Sequence, residues 1–132
     1  MILEQNTTGV ALESAARTAT ITTPVIQNKG ARGVIIYLSV TAASGTGGLA
    51  VQALGVDPVN PLNVIALNTA PTGVTATTST TPKAYMIYPA ASLSQTGVTQ
   101  HTAGALPRHW AIKVTAADSS SYTYTVSYSY LS

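Results

Sequence analysis

The chain has 132 residues, a formal net charge of +2 at neutral pH, and only 8% charged side chains, against about 25% in a typical soluble domain. Its six basic residues are scattered, so it lacks the basic patch typical of nucleic-acid-binding proteins, and no apolar run approaches the ~20 residues of a membrane-spanning helix. It has no cysteine, which excludes a disulfide framework and thiolate chemistry. The polar surface is mostly hydroxyl, with 21 threonines and 12 serines.

The N-terminal segment, residues 1–16, mixes apolar and polar residues without a firm period. It is interpreted either as an extended arm or as an edge strand, and residues 17–132 as one β-sandwich domain. In the arm interpretation, its apolar side chains dock on a neighbouring subunit as an added strand or tether. The predicted contact residues are Ile2, Leu3, Val10 and Leu12.

From Arg17 onward, apolar and polar residues alternate in short runs separated by turn residues. The glycine-rich stretch 43–48 is predicted to join the runs on either side of it into a hairpin, and "ADSS" at 117–120 to join the last two runs into a closing hairpin. Residues 26–33 are predicted to be a turn, 69–82 an irregular segment or edge strand, and 90–107 the longest loop. The predicted strand runs are 17–23, 34–42, 49–56, 62–68, 83–89, 108–116 and 121–131.

The last run, "SYTYTVSYSYL", has the clearest period of two in the chain. Its aromatic stripe consists of Tyr122, Tyr124, Val126, Tyr128 and Tyr130, and the positions between them are all Thr or Ser. Because the chain has no Phe, these residues and Trp110 are expected to fill the core, with hydroxyl tips near its wet ends. Two alternatives stay open, which are contact between subunits and a sugar-stacking platform that also uses Tyr85 and Tyr88.

No segment has the apolar spacing of an amphipathic helix over 11 or more residues. Short strands at intervals of 8–12 residues are typical of all-β folds. The sequence therefore predicts a single antiparallel β-sandwich or barrel, jelly-roll or immunoglobulin-like, of about seven or eight strands.

The inventory of groups for acid–base chemistry is small. The chain has four carboxylates, and Asp57 and Asp118 open turns in which Asp caps its own backbone. His101 and His109 lack metal-ligand spacing and are expected in loops or on the surface. The sequence therefore predicts no enzyme, no metal and no cofactor.

An ordered set of short landmarks runs from about residue 10 to the C-terminus: "SAARTAT" at 14–20, "ARGV" at 31–34, "SVTA" at 39–42, "DP" at 57–58, "YP" at 88–89, "LPRHWAIKV" at 106–114 and the closing tyrosine run. Together they resemble a family of small β proteins encoded among the virion structural genes of tailed bacteriophages. One departure is "DPVNPL", because such turns usually carry a glycine.

The resemblance implies a virion structural protein that decorates and stabilises the capsid, with the major capsid protein as its partner. It implies a homo-oligomer, with a trimer favoured, on the capsid surface after synthesis in the bacterial cytoplasm. Neither nucleic acid nor membrane is expected as a partner. The alternatives are a tail or neck component and a carbohydrate-binding head-fibre domain.

Overall fold

The computed structural model describes residues 8–45, 47–68, 83–89, 98 and 100–131. Within these ranges the chain is all-β and contains no helix, so no membrane-spanning helix occurs there. The strands are β1 (Thr8–Arg17), β2 (Ile21–Thr22), β3 (Ile26–Gln27), β4 (Gly33–Ala43), β5 (Leu49–Val56), β6 (Val64–Ala66), β7 (Lys83–Tyr88), β8 (Gln100–Ala103), β9 (His109–Ala116) and β10 (Tyr122–Leu131).

These strands form two sheets of five, which face each other as a sandwich and do not close into a barrel. The first sheet has the order β1-β10-β4-β7-β8. In the second, β9 pairs with β5 on one side and with β2 and β3 on the other, and β6 adds to the far edge of β5. The predicted β-sandwich is therefore correct, with more strands than expected and with one parallel pair, β7 and β8.

Both predicted hairpins at the glycine-rich and "ADSS" loops are wrong. β4 and β10 pair with each other in the first sheet, whereas β5 and β9 pair with each other in the second. Each loop therefore crosses from one sheet to the other, and the two crossovers run side by side. The Ser44 N–H donates to the Ser121 carbonyl at 2.9 Å, and the Ala117 N–H to the Gly48 carbonyl at 3.1 Å. A short glycine-rich connection suits either geometry, so the strand pattern alone could not distinguish them.

Two further expectations need correction. The predicted turn at 26–33 contains β3, which pairs with the start of β9, and the predicted loop at 90–107 contains β8. Both strands, of two and four residues, are too short to show a clear period of two in the sequence. The irregular segment predicted at 69–82 lies outside the described residues.

The core lies between the sheets and is built from one face of each long strand. In β4 the inward residues are Val34, Ile36, Leu38 and Val40, and they meet Trp110, Ile112 and Val114 of β9 across the gap. A smaller apolar cluster on the outer face of the first sheet contains Ile35, Ala84 and Met86. The alternation that predicted these strands therefore also defines which side chains are buried.

Candidate functional site

The four predicted contact residues of the N-terminal segment do not share one environment. Ile2 and Leu3 lie outside the described residues. Val10 is 55% exposed on the outer face of the first sheet, whereas Leu12 is a core residue at 8% exposure. The expectation that Leu12 contacts a neighbouring subunit is therefore wrong.

A β-bulge explains why Val10 and Leu12 separate. Val10 pairs with Ser127 and Leu12 with Val126, so the register moves by two residues along β1 but by only one residue along β10. This extra residue turns the next side chain to the opposite face of the sheet. A second register shift follows between Leu12 and Ala15. These two shifts account for the missing period in the N-terminal segment, whose described part is an edge strand of the same sandwich.

The aromatic stripe of β10 lies in the core. Tyr122, Tyr124 and Val126 are at most 1% exposed, and Tyr128 packs against the same cluster. Trp110 is fully buried and lies edge-on to Tyr128, with ring centroids 5.3 Å apart. The buried Trp110 and Tyr85 are therefore not placed to stack on a sugar in solvent.

The tyrosine hydroxyl groups in and near the core lie in different environments. The Tyr130 hydroxyl donates to the Gln27 carbonyl and accepts from Trp110 Nε1, both at 3.2 Å. The hydroxyls of Tyr85 and Tyr124 are buried without a hydrogen-bond partner among the described residues, so the expectation of wet tips is wrong for them. Burial raises the pKa of Tyr85 to about 12.

Both histidines lie on strands: His101 falls in the segment predicted as the longest loop, whereas His109 falls in the strand predicted at 108–116. His101 lies in β8 opposite Met86, and His109 opens β9 opposite Gln27. Both are half-buried. Within the described ranges, no three residues of the His, Asp and Glu types come together as a potential metal site.

Asp57 organises the loop of residues 57–63, called here the Asp57 loop, which joins β5 to β6. Asp57 Oδ1 accepts from the Val59 N–H at 2.8 Å and from the Asn60 N–H at 3.3 Å, and Asn63 Nδ2 donates to Oδ2 at 3.2 Å. The hydrogen bond from the Val59 backbone, followed by the bonds from Asn63 and Asn60, lowers the pKa of Asp57. The Leu62 N–H donates to Asn60 Oδ1 at 3.2 Å. The loop is therefore held in one shape by its own polar groups.

This ordered loop presents aliphatic side chains to solvent. Val59 and Leu62 are each 90% exposed, and Ile65 of the adjoining strand β6 is 63% exposed. A groove of about 210 Å³ lies beside Ile65 and is lined by Gly55, Val56, Asp57, Asn63, Ile65 and Pro107. We call Val59, Leu62, Val64 and Ile65 the hairpin surface.

Sequence reasoning did not find the hairpin surface. Residues 62–68 were interpreted as an ordinary strand and the two prolines as turn residues. The signal available in the sequence is the absence of any charge from Pro58 to Asn68, because exposed strand edges usually carry charges that prevent unwanted pairing.

Neither the protein-family models nor the curated proteins nor the solved structures compared with this chain give a significant match.

Proposed function

We propose that this chain is a non-enzymatic structural protein of a tailed-phage virion, which decorates the assembled capsid and stabilises it. The observation that carries the proposal is the ordered set of landmarks that resembles small virion β proteins. Many copies bound across subunit seams stabilise a shell, because ligands that bind only the assembled state favour that state.

The placement of the landmarks supports a structural role for them. "ARGV", "LPRHW" and the end of the tyrosine run meet at one end of the sandwich. The Arg32 N–H donates to the Leu131 carbonyl at 2.9 Å, and the Leu106 N–H to the Arg32 carbonyl at 3.0 Å. Gly33 sits so close to the Ile87 carbonyl that an added Cβ would clash with it. These residues bring backbone segments into direct contact, which supports a structural role for the landmarks.

The outer face of the first sheet supplies a surface for capsid contact. Val10, Ser127 and Tyr37 pair in one row across β1, β10 and β4, and paired residues share a face. Val10 is 55% exposed and Tyr37 is 38% exposed. Thr125 and Ser129 of β10 extend this face with hydroxyls. These uncharged side chains can bind through apolar and hydroxyl contacts, which salt screens little.

The test is the protein content of purified particles from the phage that encodes this chain. Quantitative mass spectrometry is expected to find it in many copies per head, retained between low and about 0.5 M salt. Its absence from particles would overturn the proposal. Its presence on tails alone would instead favour a tail or neck component.

A matched pair of substitutions locates the attachment face. Val10→Asp is expected to reduce the copy number per particle, because it places a charge in the proposed contact. Val25→Asp makes the same change at a 46% exposed valine in the connection between β2 and β3 and is expected to leave the copy number unchanged. Equal copy numbers for the two variants would exclude the outer face of the first sheet as the contact.

A further inference from the structure

We propose that the hairpin surface pairs with the same surface of a second copy of this chain, so that the two β6 strands lie antiparallel across a two-fold axis. This self-pairing is separate from capsid attachment, which uses the other sheet. Three observations lead to it, namely the open edge, the absence of charge and the exposed apolar side chain of Ile65 beside a groove.

Among the described residues, the outer side of β6 is an open edge. Of the strands described, only β5 pairs with β6. The Leu67 N–H donates to the Ala53 carbonyl and the Asp57 N–H to the Asn63 carbonyl, so the hydrogen bonds to β5 fall on odd-numbered residues. Because such bonds alternate in an antiparallel pair, Val64 and Ala66 direct their N–H and C=O groups away from β5. A second β6 can take up this row of donors and acceptors.

The charge distribution makes a second copy a suitable occupant. No charged residue occurs from Pro58 to Asn68, so two copies can meet without like-charge repulsion. The nearest charge is Asp57, whose carboxylate already accepts three hydrogen bonds from its own loop. A strand edge exposed without charges is a ready template for pairing with its own kind.

The surface combines exposed apolar side chains with a recess. Leu62 and Val59 are each 90% exposed, and Ile65, which is 63% exposed, lines the groove together with Gly55, Val56 and Pro107. At Gly55 an added Cβ would lie 3.1 Å from Ile65 Cγ1 and 3.3 Å from Pro107 Cγ, so a glycine keeps the floor of the groove open. In a two-fold contact, residue i meets j while j meets i, so pairing of Val64 with Ala66 of the second copy places the exposed Ile65 of each copy beside that of the other. The loop is already ordered by Asp57, which lowers the entropy cost of the contact.

The proposal predicts a dimer, whereas the resemblance to virion proteins favours a trimer. Antiparallel pairing of one edge strand uses the same surface twice and closes after two copies.

Sedimentation velocity on the purified protein tests it, with Leu62→Asp and Ile65→Lys as disrupting variants and Val25→Asp as the matched control. The wild type and the control are expected to be dimers. The disrupting variants are expected to raise the dissociation constant roughly tenfold or more. Because Leu62 is 90% exposed, its substitution leaves the fold of the single copy intact.

A wild type that stays monomeric or forms trimers would overturn the proposal, and so would a dimer that Leu62→Asp leaves unchanged. If the wild type is monomeric but Leu62→Asp lowers its copy number on particles, the surface serves another virion protein and self-pairing is excluded. A single-cysteine variant, Ile65→Cys, adds a direct check because the chain has no other cysteine. Brief oxidation is expected to join two Ile65→Cys copies through a disulfide, seen as a dimer on non-reducing gels, whereas Val25→Cys is expected to remain monomeric under the same oxidation.

Discussion

Two loops of this protein are organised by an aspartate in the same way but face different surroundings. In the loop after β9, Asp118 Oδ1 accepts from the Ser120 N–H at 3.0 Å, much as Asp57 accepts from its own loop. Asp118 also reaches beyond its loop: Oδ1 accepts from the Tyr122 hydroxyl at 2.8 Å, and Oδ2 from the Gly47 N–H at 2.9 Å. Asp118 therefore ties the two crossovers to a buried tyrosine, whereas Asp57 orders a loop that points into solvent.

An Asp-capped turn therefore does not have one fixed structural role. Tyr122 accepts from the Gly48 N–H at 3.1 Å, and Gly48 has a φ of 89°, which favours glycine. The Asp118 loop thus closes one end of the core. The Asp57 loop leaves Val59 and Leu62 uncovered. One loop completes the fold of a single copy, and the other prepares a contact between copies.

The largest difference between the two loops is expected on truncation of their key side chains. Tyr122→Ala removes a fully buried aromatic ring and is expected to lower the free energy of unfolding by about 3–5 kcal/mol. Leu62→Ala should change the free energy of unfolding of the dilute monomer by less than about 0.5 kcal/mol. Urea denaturation at low protein concentration measures both, and equal losses would remove the distinction between the loops.

A smaller effect is expected from the hydroxyl of Tyr122 alone. Tyr122→Phe keeps the ring but leaves the Gly48 N–H without its acceptor, which is expected to cost about 1–3 kcal/mol. Tyr37→Phe removes a hydroxyl from a partly exposed ring and serves as the control, with little expected loss. Indistinguishable denaturation curves for the two variants would mean that the Tyr122 hydroxyl does not hold the crossovers together.

Lowering the pH is expected to weaken the Asp118 loop, because its carboxylate accepts the hydrogen bond from the Tyr122 hydroxyl. The hydrogen bond from Tyr122 is the main cause that lowers the pKa of Asp118 from its usual 3.8, followed by the Ser120 backbone bond. A lowered pKa in the folded state stabilises the protein above pH 3.8, and this stability is lost as the pH falls through the lowered value. Melts between pH 7 and pH 2 are expected to show a weaker acid dependence in Tyr122→Phe than in the wild type. An unchanged acid dependence would contradict this linkage.

The smallest effect on the single copy is expected at Asp57. Asp57→Ala removes only bonds within its own exposed loop, so the melting temperature of the dilute protein should fall less than it does for Asp118→Ala. The same variant should weaken dimer formation, because the loop is no longer held in its binding shape. A fall in melting temperature as large as that of Asp118→Ala would show that the Asp57 loop also supports the core.

Much of the core could be predicted from the sequence, because alternation reports directly on buried faces. The inward faces of β4 and β10 follow from Val34 to Val40 and from Tyr122 to Val126. Pairing between strands could not be predicted, because the sequence of a short loop does not determine which sheet the next strand joins. The bulge between Val10 and Leu12 hid the period of β1 for a related reason, since one extra residue reverses the alternation.

The candidate surfaces were predicted less well than the core. Exposure of Val59 and Leu62 depends on how far the β5–β6 hairpin extends beyond the sandwich, which is a property of the whole fold. In the sequence, these apolar residues resemble those of any buried strand. In the sequence, only the absence of charged residues around them indicates a contact surface. This absence becomes informative when β6 is known to be an edge strand.

Amide hydrogen exchange measured by NMR at two protein concentrations tests most directly whether β6 is an edge that a second copy covers. The Gly48 amide, hydrogen-bonded to the buried Tyr122, is expected to exchange slowly at both concentrations. The Val64 and Ala66 amides are expected to exchange rapidly in dilute protein and slowly in concentrated protein, as pairing protects them. Rapid exchange of these two amides at every concentration would contradict the account.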